Sequence, residues 1–185
     1  MTTTPIEPAT ASPGTTPPET TPPCLTPSET TAFDAPSEHA AALDRVIALA
    51  TDEILVFDSD LAPGGWGTVA RSDALRSFLL GKRLARVQII VHNTLYIERS
   101  LPRLVRLLRN FSHKLEILRT VGDGRNAWDG FALVDRMHLV HRFHLDSTRG
   151  ELSLHDAYKA QQLRERYDEL VQHTESGVNA TQLGL

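Results

Sequence analysis

Hydrophobic positions recur along this chain with two periods, and the changes between them mark the elements. Leu43, Val46, Ile47 and Ala50 repeat at helical spacing, with Asp44 and Arg45 off the stripe, behind Ser37 as an expected cap. Glu53–Phe57 is a β-branched and aromatic run that predicts a strand, closed by Asp58-Ser59-Asp60 and Pro63-Gly64-Gly65. Leu75, Phe78 and Leu79 form a second helical stripe, opened by Ser72 and closed at Gly81, with Lys82 and Arg83 suited to a helix C-terminus. Arg86–Val91 predicts the second strand and leads to His92-Asn93. Leu104, Leu107, Leu108 and Phe111 predict a third helix, started by Ser100 and Pro102. Lys114–Leu118 predicts a third strand, ending at Arg119.

A polar, glycine-rich loop follows over residues 121–130. Phe131–Val134 and Met137–Phe143 then read as a hairpin, joined by the turn Asp135-Arg136. The last helix shows Ala160, Leu163, Tyr167, Leu170 and Val171 on one face. Ser153 and Asp156 resemble a capping box, so the helix is expected from there to about Thr174, roughly 30 Å. Strands alternating with helices predict an α/β fold, a mixed sheet flanked by helices. Ligand sites in such sheets gather at the carboxyl ends of the strands, here Asp58, His92 and Arg119 beside the 121–130 loop.

Composition divides the chain in two. Residues 1–36 hold nine of the eleven prolines and eleven threonines, too little apolar surface to offset the entropy of ordering them. They are expected to form a disordered Thr/Pro-rich tail, and residues 37–185 a single domain. The tail contains Glu7, Glu19, Glu29 and Asp34 and no basic residue, so it carries the whole net charge of −4. The domain then has 19 charges of each sign and no overall field for nucleic acid, which is not an expected partner. The sole cysteine, Cys24, permits neither an internal disulfide nor a cysteine metal site. No apolar run is long enough to span a membrane, and the opening MTTTPIEPAT does not read as a secretion signal, so a cytoplasmic protein is expected.

The 121–130 loop is the candidate ligand site. Gly122, Gly124 and Gly130 let backbone approach a ligand. Arg125 and Asn126 supply donors and Trp128 a flat apolar face, while Arg119 and Arg142 are expected at the same end of the sheet. Together these residues can hold an anionic small molecule. The histidines do not suggest a metal: alternation places His138 opposite His141, and His138 and His144 stand six residues apart, roughly 20 Å along a strand. Arg103, Arg106 and Arg109 form a basic stripe that reads as the solvated face of the third helix in preference to a phosphate or nucleic-acid contact. No Ser-His-Asp grouping, P-loop or dinucleotide fingerprint is present, and no cofactor is expected.

The order of elements resembles one half of the phospholipase D superfamily fold, in which a strand carries His-x-Lys-x4-Asp. Aligned on Asp135, the His position is Trp128 and the Lys position is Gly130, and HLVHRFHLD has no Gly-Ser-x-Asn segment. The chain is similar to a bacterial group of uncharacterised, single-unit, catalytically degenerate phospholipase D-like domains. In the active family the His attacks phosphorus and the Lys steadies the phosphoryl oxygens. Trp cannot attack, and Gly offers no charge. The resemblance therefore implies a non-catalytic module that binds an anionic ligand or a partner protein, or forms a homodimer, with Asp135 as a turn residue. The alternative is a phosphodiesterase or hydrolase with a site rebuilt from Asp58, His92 and Asp129, or a purely structural dimerisation module. The enzyme reading requires His92 to meet a carboxylate.

Overall fold

The computed structural model describes Met1, residues 27–81 and residues 83–178. In chain order the first elements are strand β1 (Glu29–Phe33), helix α1 (Pro36–Ala48), β2 (Glu53–Asp58), α2 (Val69–Gly81) and β3 (Arg86–Val91). Short helix α3 (Leu95–Ser100), α4 (Pro102–Asn110) and β4 (Leu115–Thr120) follow, then a 3-10 turn at Gly122–Asn126. The chain continues through β5 (Gly130–Val134), β6 (His138–Arg142), β7 (Gly150–Leu154), α5 (Ala157–Val171) and β8 (Thr174–Ser176).

The strands form one mixed sheet in the order β1-β7-β6-β5-β2-β3-β4-β8. β2, β3 and β4 run parallel, and every other neighbouring pair is antiparallel. This is the expected α/β architecture. The central strands are apolar throughout because both faces are covered. Ile54, Val56, Val87 and Ile89 pack with the stripes of α1, α2 and α4 in one core. Leu55, Phe57 and Ile90 pack beneath Ala160, Leu163, Tyr167 and Leu170 of α5 in the other. Tyr167 anchors α5 by donating its hydroxyl to the Gln88 carbonyl at 3.1 Å.

The hairpin turns where the sequence predicts. Asp135 and Arg136 both have left-handed φ, 50° and 57°, and Met137 N donates to the Val134 carbonyl at 3.1 Å. Two such residues give the turn whose twist matches the flanking strands. Asp135 has a second task. Its carboxylate accepts from Thr51 N (2.6 Å), Thr51 Oγ1 (2.8 Å), Asp52 N (2.8 Å) and Glu53 N (2.8 Å), tying the hairpin to the start of β2. Partial burial works against its charge, but these bonds prevail and hold its pKa below the usual carboxylate value.

Several boundaries differ from expectation. The segment expected as tail contains β1, which pairs with β7, and its residues 2–26 lie outside the described ones. α1 is not capped by Ser37: Glu38 Oε2 accepts from Asp34 N and Ala35 N, both at 3.2 Å. α2 starts ahead of Ser72, and Thr68 Oγ1 accepts from Arg71 N at 3.4 Å. α3 precedes the predicted third helix. Ser153 belongs to β7, where its hydroxyl meets Thr30 Oγ1 at 3.1 Å. α5 begins four residues later, with Asp156 accepting from Lys159 N at 3.0 Å, and at 15 residues is about 22 Å long. β8 takes up Thr174–Ser176 and closes the far edge against β4.

Candidate functional site

Sheet register decides which side chains meet at the strand ends. Asp58 pairs with Val91, and alternation sends both toward the α1–α4 face. His92, one residue further, points to the α5 face. The two residues expected to cooperate are therefore separated by the sheet itself.

On the α1–α4 face, Asp58 meets Arg142. Gly130 and Arg142 are register partners, so β6 carries Arg142 to the same face beside β5. Arg142 Nη2 donates to Asp58 Oδ1 at 2.7 Å and Nη1 to the Leu145 carbonyl at 3.3 Å. Ser59 N donates to the same Asp58 oxygen at 2.6 Å. Both charged residues are buried, at 4% and 2% exposure. Burial pushes the Asp58 carboxyl upward, against Arg142 and Ser59, which favour its charge. Gly130 leaves room for this pair: a Cβ there would lie 3.1 Å from Arg142 Nη2 and 3.1 Å from Leu145 Cδ2.

A cavity of about 10 Å³ adjoins the pair, lined also by His39 and Trp66. His39 Nδ1 and Trp66 Nε1 are buried, with no hydrogen-bond partner among the described residues. Burial first, then Arg142 and Arg71, lowers the His39 pKa to about 4.

On the α5 face, His92 clamps the 121–130 loop. Its Nε2 donates to the Ala127 carbonyl at 3.0 Å, and its Nδ1 shares a 2.7 Å bond with Thr120 Oγ1. No carboxylate among the described residues is its partner. Asp129 instead meets His141 of β6, whose Nε2 stands 3.1 Å from Oδ2, and Arg166 of α5, whose Nη2 and Nε lie 2.6 and 3.1 Å from Oδ1. Burial raises the Asp129 pKa, but the bonds and charges of His141 and Arg166 carry it below the usual value. Asp58, His92 and Asp129 thus have separate partners and do not form one constellation.

The arginines do not converge either. Arg119 is bound by Glu175 of β8, through Nε at 3.0 Å and Nη2. β4 and β6 are four strand spacings apart, so Arg119 and Arg142 are separated by roughly 19 Å. Arg125 and Asn126 are exposed in the 3-10 turn. Trp128 is neither in the core nor in a pocket: it is 62% exposed and lies against His144, with ring centres 5.8 Å apart. Phe143, 52% exposed, meets His141 edge-on at 5.4 Å. Among the described residues no group of three or more His, Cys, Asp or Glu is placed to hold a metal, and no helix is long and apolar enough to cross a membrane.

His39, Trp66, His141 and Arg166 were not singled out as site residues by their sequence. The alternation of β6 does separate His141 from His138 and Arg142, but nothing local joins it to Asp129 or Arg166.

The fold is shared with solved structures of low identity. Nuc from Salmonella typhimurium, a phospholipase D family member, matches 83% of this chain and all of its own at 14% identity, with a TM-score of 0.57. Phosphatidylserine synthase from Haemophilus influenzae matches 85% of this chain and 41% of its own at 15% identity, TM-score 0.55. TrmBL2, an archaeal chromatin protein described with a novel mode of DNA binding, matches 80% of this chain and 55% of its own at 12% identity, TM-score 0.59. The chain thus spans about half of TrmBL2 and less than half of the synthase, but the whole of Nuc. The fold is phospholipase D-like. No curated protein matches the sequence. Residues 35–183 match the family described as Domain of unknown function (DUF7931), and the chain belongs to that family.

Proposed function

We propose that this chain is a non-catalytic phospholipase D-like module that acts by binding a partner protein, which includes a second copy of itself. The observation that carries the reading is the occupancy of the motif positions. Trp128 stands in the nucleophile position and is exposed. Gly130 stands in the lysine position, and the space a side chain would need there is taken by Arg142 and Leu145. Arg142 does not replace the missing lysine, because it is buried and engaged by Asp58. A phosphodiester at this edge would meet neither a nucleophile at position 128 nor a cation at position 130.

Protein is favoured over an anion by what the edge does display. Trp128 and Phe143 are large, exposed rings on neighbouring segments, the residue types that anchor interfaces. Nucleic acid is left out of the reading because residues 37–185 balance 19 charges of each sign. As part of the same proposal, the module works in the bacterial cytoplasm.

A second reading, a hydrolase with a rebuilt site, has one observation in its favour. His141 is held by a carboxylate, and that carboxylate by Arg166, next to the motif strand. Such a histidine is oriented for proton transfer or attack. Hydrolysis of bis(p-nitrophenyl) phosphate by the parent chain and by His141→Asn separates the two. The binding module predicts no turnover in either, together with self-association or partner capture that Trp128→Ala weakens. A parent rate abolished by His141→Asn would replace the first reading with the second.

A further inference from the structure

The helix layer carries a feature that neither the motif strand nor its neighbours use. α2 and α4 enclose a groove of about 370 Å³ whose polar lining is Ser72, Asp73 and Arg76 from α2, and Arg103, Arg106 and Asn110 from α4. Three-residue spacing puts Arg103 and Arg106 on one side of α4, while Leu104 and Leu108 bury the other side against the sheet. Arg76 faces them across the groove. The sequence shows the α4 half of this arrangement as a basic stripe, but nothing in it brings in Arg76, which is thirty residues from Arg106 and on a different helix.

No carboxylate among the described residues forms an ion pair with the arginines of the groove. Seven arginines elsewhere are ion-paired with carboxylates. In the groove, Arg103 Nη1 donates to the Gly67 carbonyl at 3.3 Å, which steadies it without neutralising it. Arg76 and Arg106 have no hydrogen-bond or ion-pair partner among the described residues. Three guanidinium groups against the single carboxylate of Asp73 leave a local charge near +2 in a domain whose total charge is zero. Like charges this close repel unless an anion joins them.

We propose that the α2–α4 groove binds the phosphate group of a small phosphorylated molecule. A phosphate monoester carries close to two negative charges at neutral pH, which matches the groove. Guanidinium forks bind phosphate oxygens in bidentate fashion, and the Ser72 hydroxyl and Asn110 amide are further donors. The groove has the size of a small-ligand pocket. Val69 and Leu107 at its rim offer apolar contact for the rest of such a molecule. A nucleic-acid strand fits less well, since it needs a basic track extending past one pocket and the domain outside the groove is net acidic. The inference stands apart from the partner-binding proposal and shares no residue with it.

Titration calorimetry on the full chain tests it, with inorganic phosphate and AMP as probes, sulfate at matched ionic strength as control, and duplex DNA as a competing ligand class. Arg76→Gln and Arg106→Gln are the test variants and Arg125→Gln the control, with each variant's melting temperature checked without ligand. The expected result is saturable binding of AMP or phosphate, about tenfold weaker in each groove variant and unchanged in Arg125→Gln. Preference for AMP over inorganic phosphate would mark an organic phosphate ester as the source of the group. Binding that sulfate reproduces, that the groove variants leave intact, or that is absent altogether would overturn the proposal. So would binding of duplex DNA alone.

Discussion

Arg142 Nη2 and Asp58 Oδ1 meet at 2.7 Å inside the protein, linking strands β6 and β2 across the narrow gap that Gly130 leaves in β5. This buried pair is a structural cross-tie between the two strands, and it has direct consequences.

Breaking the pair from one side leaves a buried charge without compensation. Arg142→Met should lower stability by about 3–5 kcal/mol, and Asp58→Asn should also destabilise. The double variant should recover part of the loss, because neither charge is then stranded. Urea denaturation of the three proteins measures the coupling, and simple additivity would show that the two residues act independently.

On the proposed non-catalytic reading, a lysine at position 130 should confer no chemistry. Gly130→Lys places a Cβ 3.1 Å from Arg142 Nη2 and 3.1 Å from Leu145 Cδ2. Overpacking at this point should cost about 1–3 kcal/mol. Thermal melts and phosphodiester hydrolysis, measured on Gly130→Lys and on Trp128→His with Gly130→Lys, should show lower stability and no new turnover.

Asp135 does two things that substitutions can separate. Asp135→Gly keeps the left-handed turn but loses the bonds to Thr51, Asp52 and Glu53, and should cost about 2–3 kcal/mol. Asp135→Val should cost more, since a β-branched residue also resists the φ of 50°. The folded pKa is lowered, so the stabilisation is complete above the unfolded value near 4 and is lost as pH falls from there through the lower folded value. Denaturation at pH 7 and pH 3 should show the parent and Asp135→Gly converging at the lower pH.

His39 sets a second pH dependence, of opposite origin. Its pKa is about 4 in the folded protein against an ordinary value of 6.5, so the unfolded chain takes up a proton first. Stability is complete above about pH 6.5 and declines from there toward pH 4, by an amount on the order of 3 kcal/mol. His39→Gln should flatten the curve over this window. A parent and variant that lose stability in parallel from pH 7 to pH 4.5 would show that another group is responsible.

Much of the fold is legible in the residue pattern. β3 falls at the predicted bounds, and β2 extends past them only by Asp58, because both are apolar on two faces and no other local structure suits such a run. The Asp135-Arg136 turn is legible because a tight hairpin demands left-handed residues, and aspartate is one of the few side chains that accept them. Strands β1, β7 and β8 are not legible. ETTAF, GELSL and TES are short and mostly polar, and β1 and β8 draw all their ladder bonds from strands more than fifty residues away, as β7 does on one of its edges.

By itself, the sequence determined helices α1, α2, α4 and α5, the central strands and the mixed α/β class, because each rests on contacts within a few residues. Only the tertiary structure decided which side chains meet. Asp58 and His92 end adjacent strands, but parallel register sends them to opposite faces, where Asp58 meets Arg142 and His92 meets the Ala127 carbonyl. Side chains alternate with a period of two, so one residue of register determines which face a group serves. Residues 84 positions apart form the buried pair, and no pattern along the chain encodes that distance.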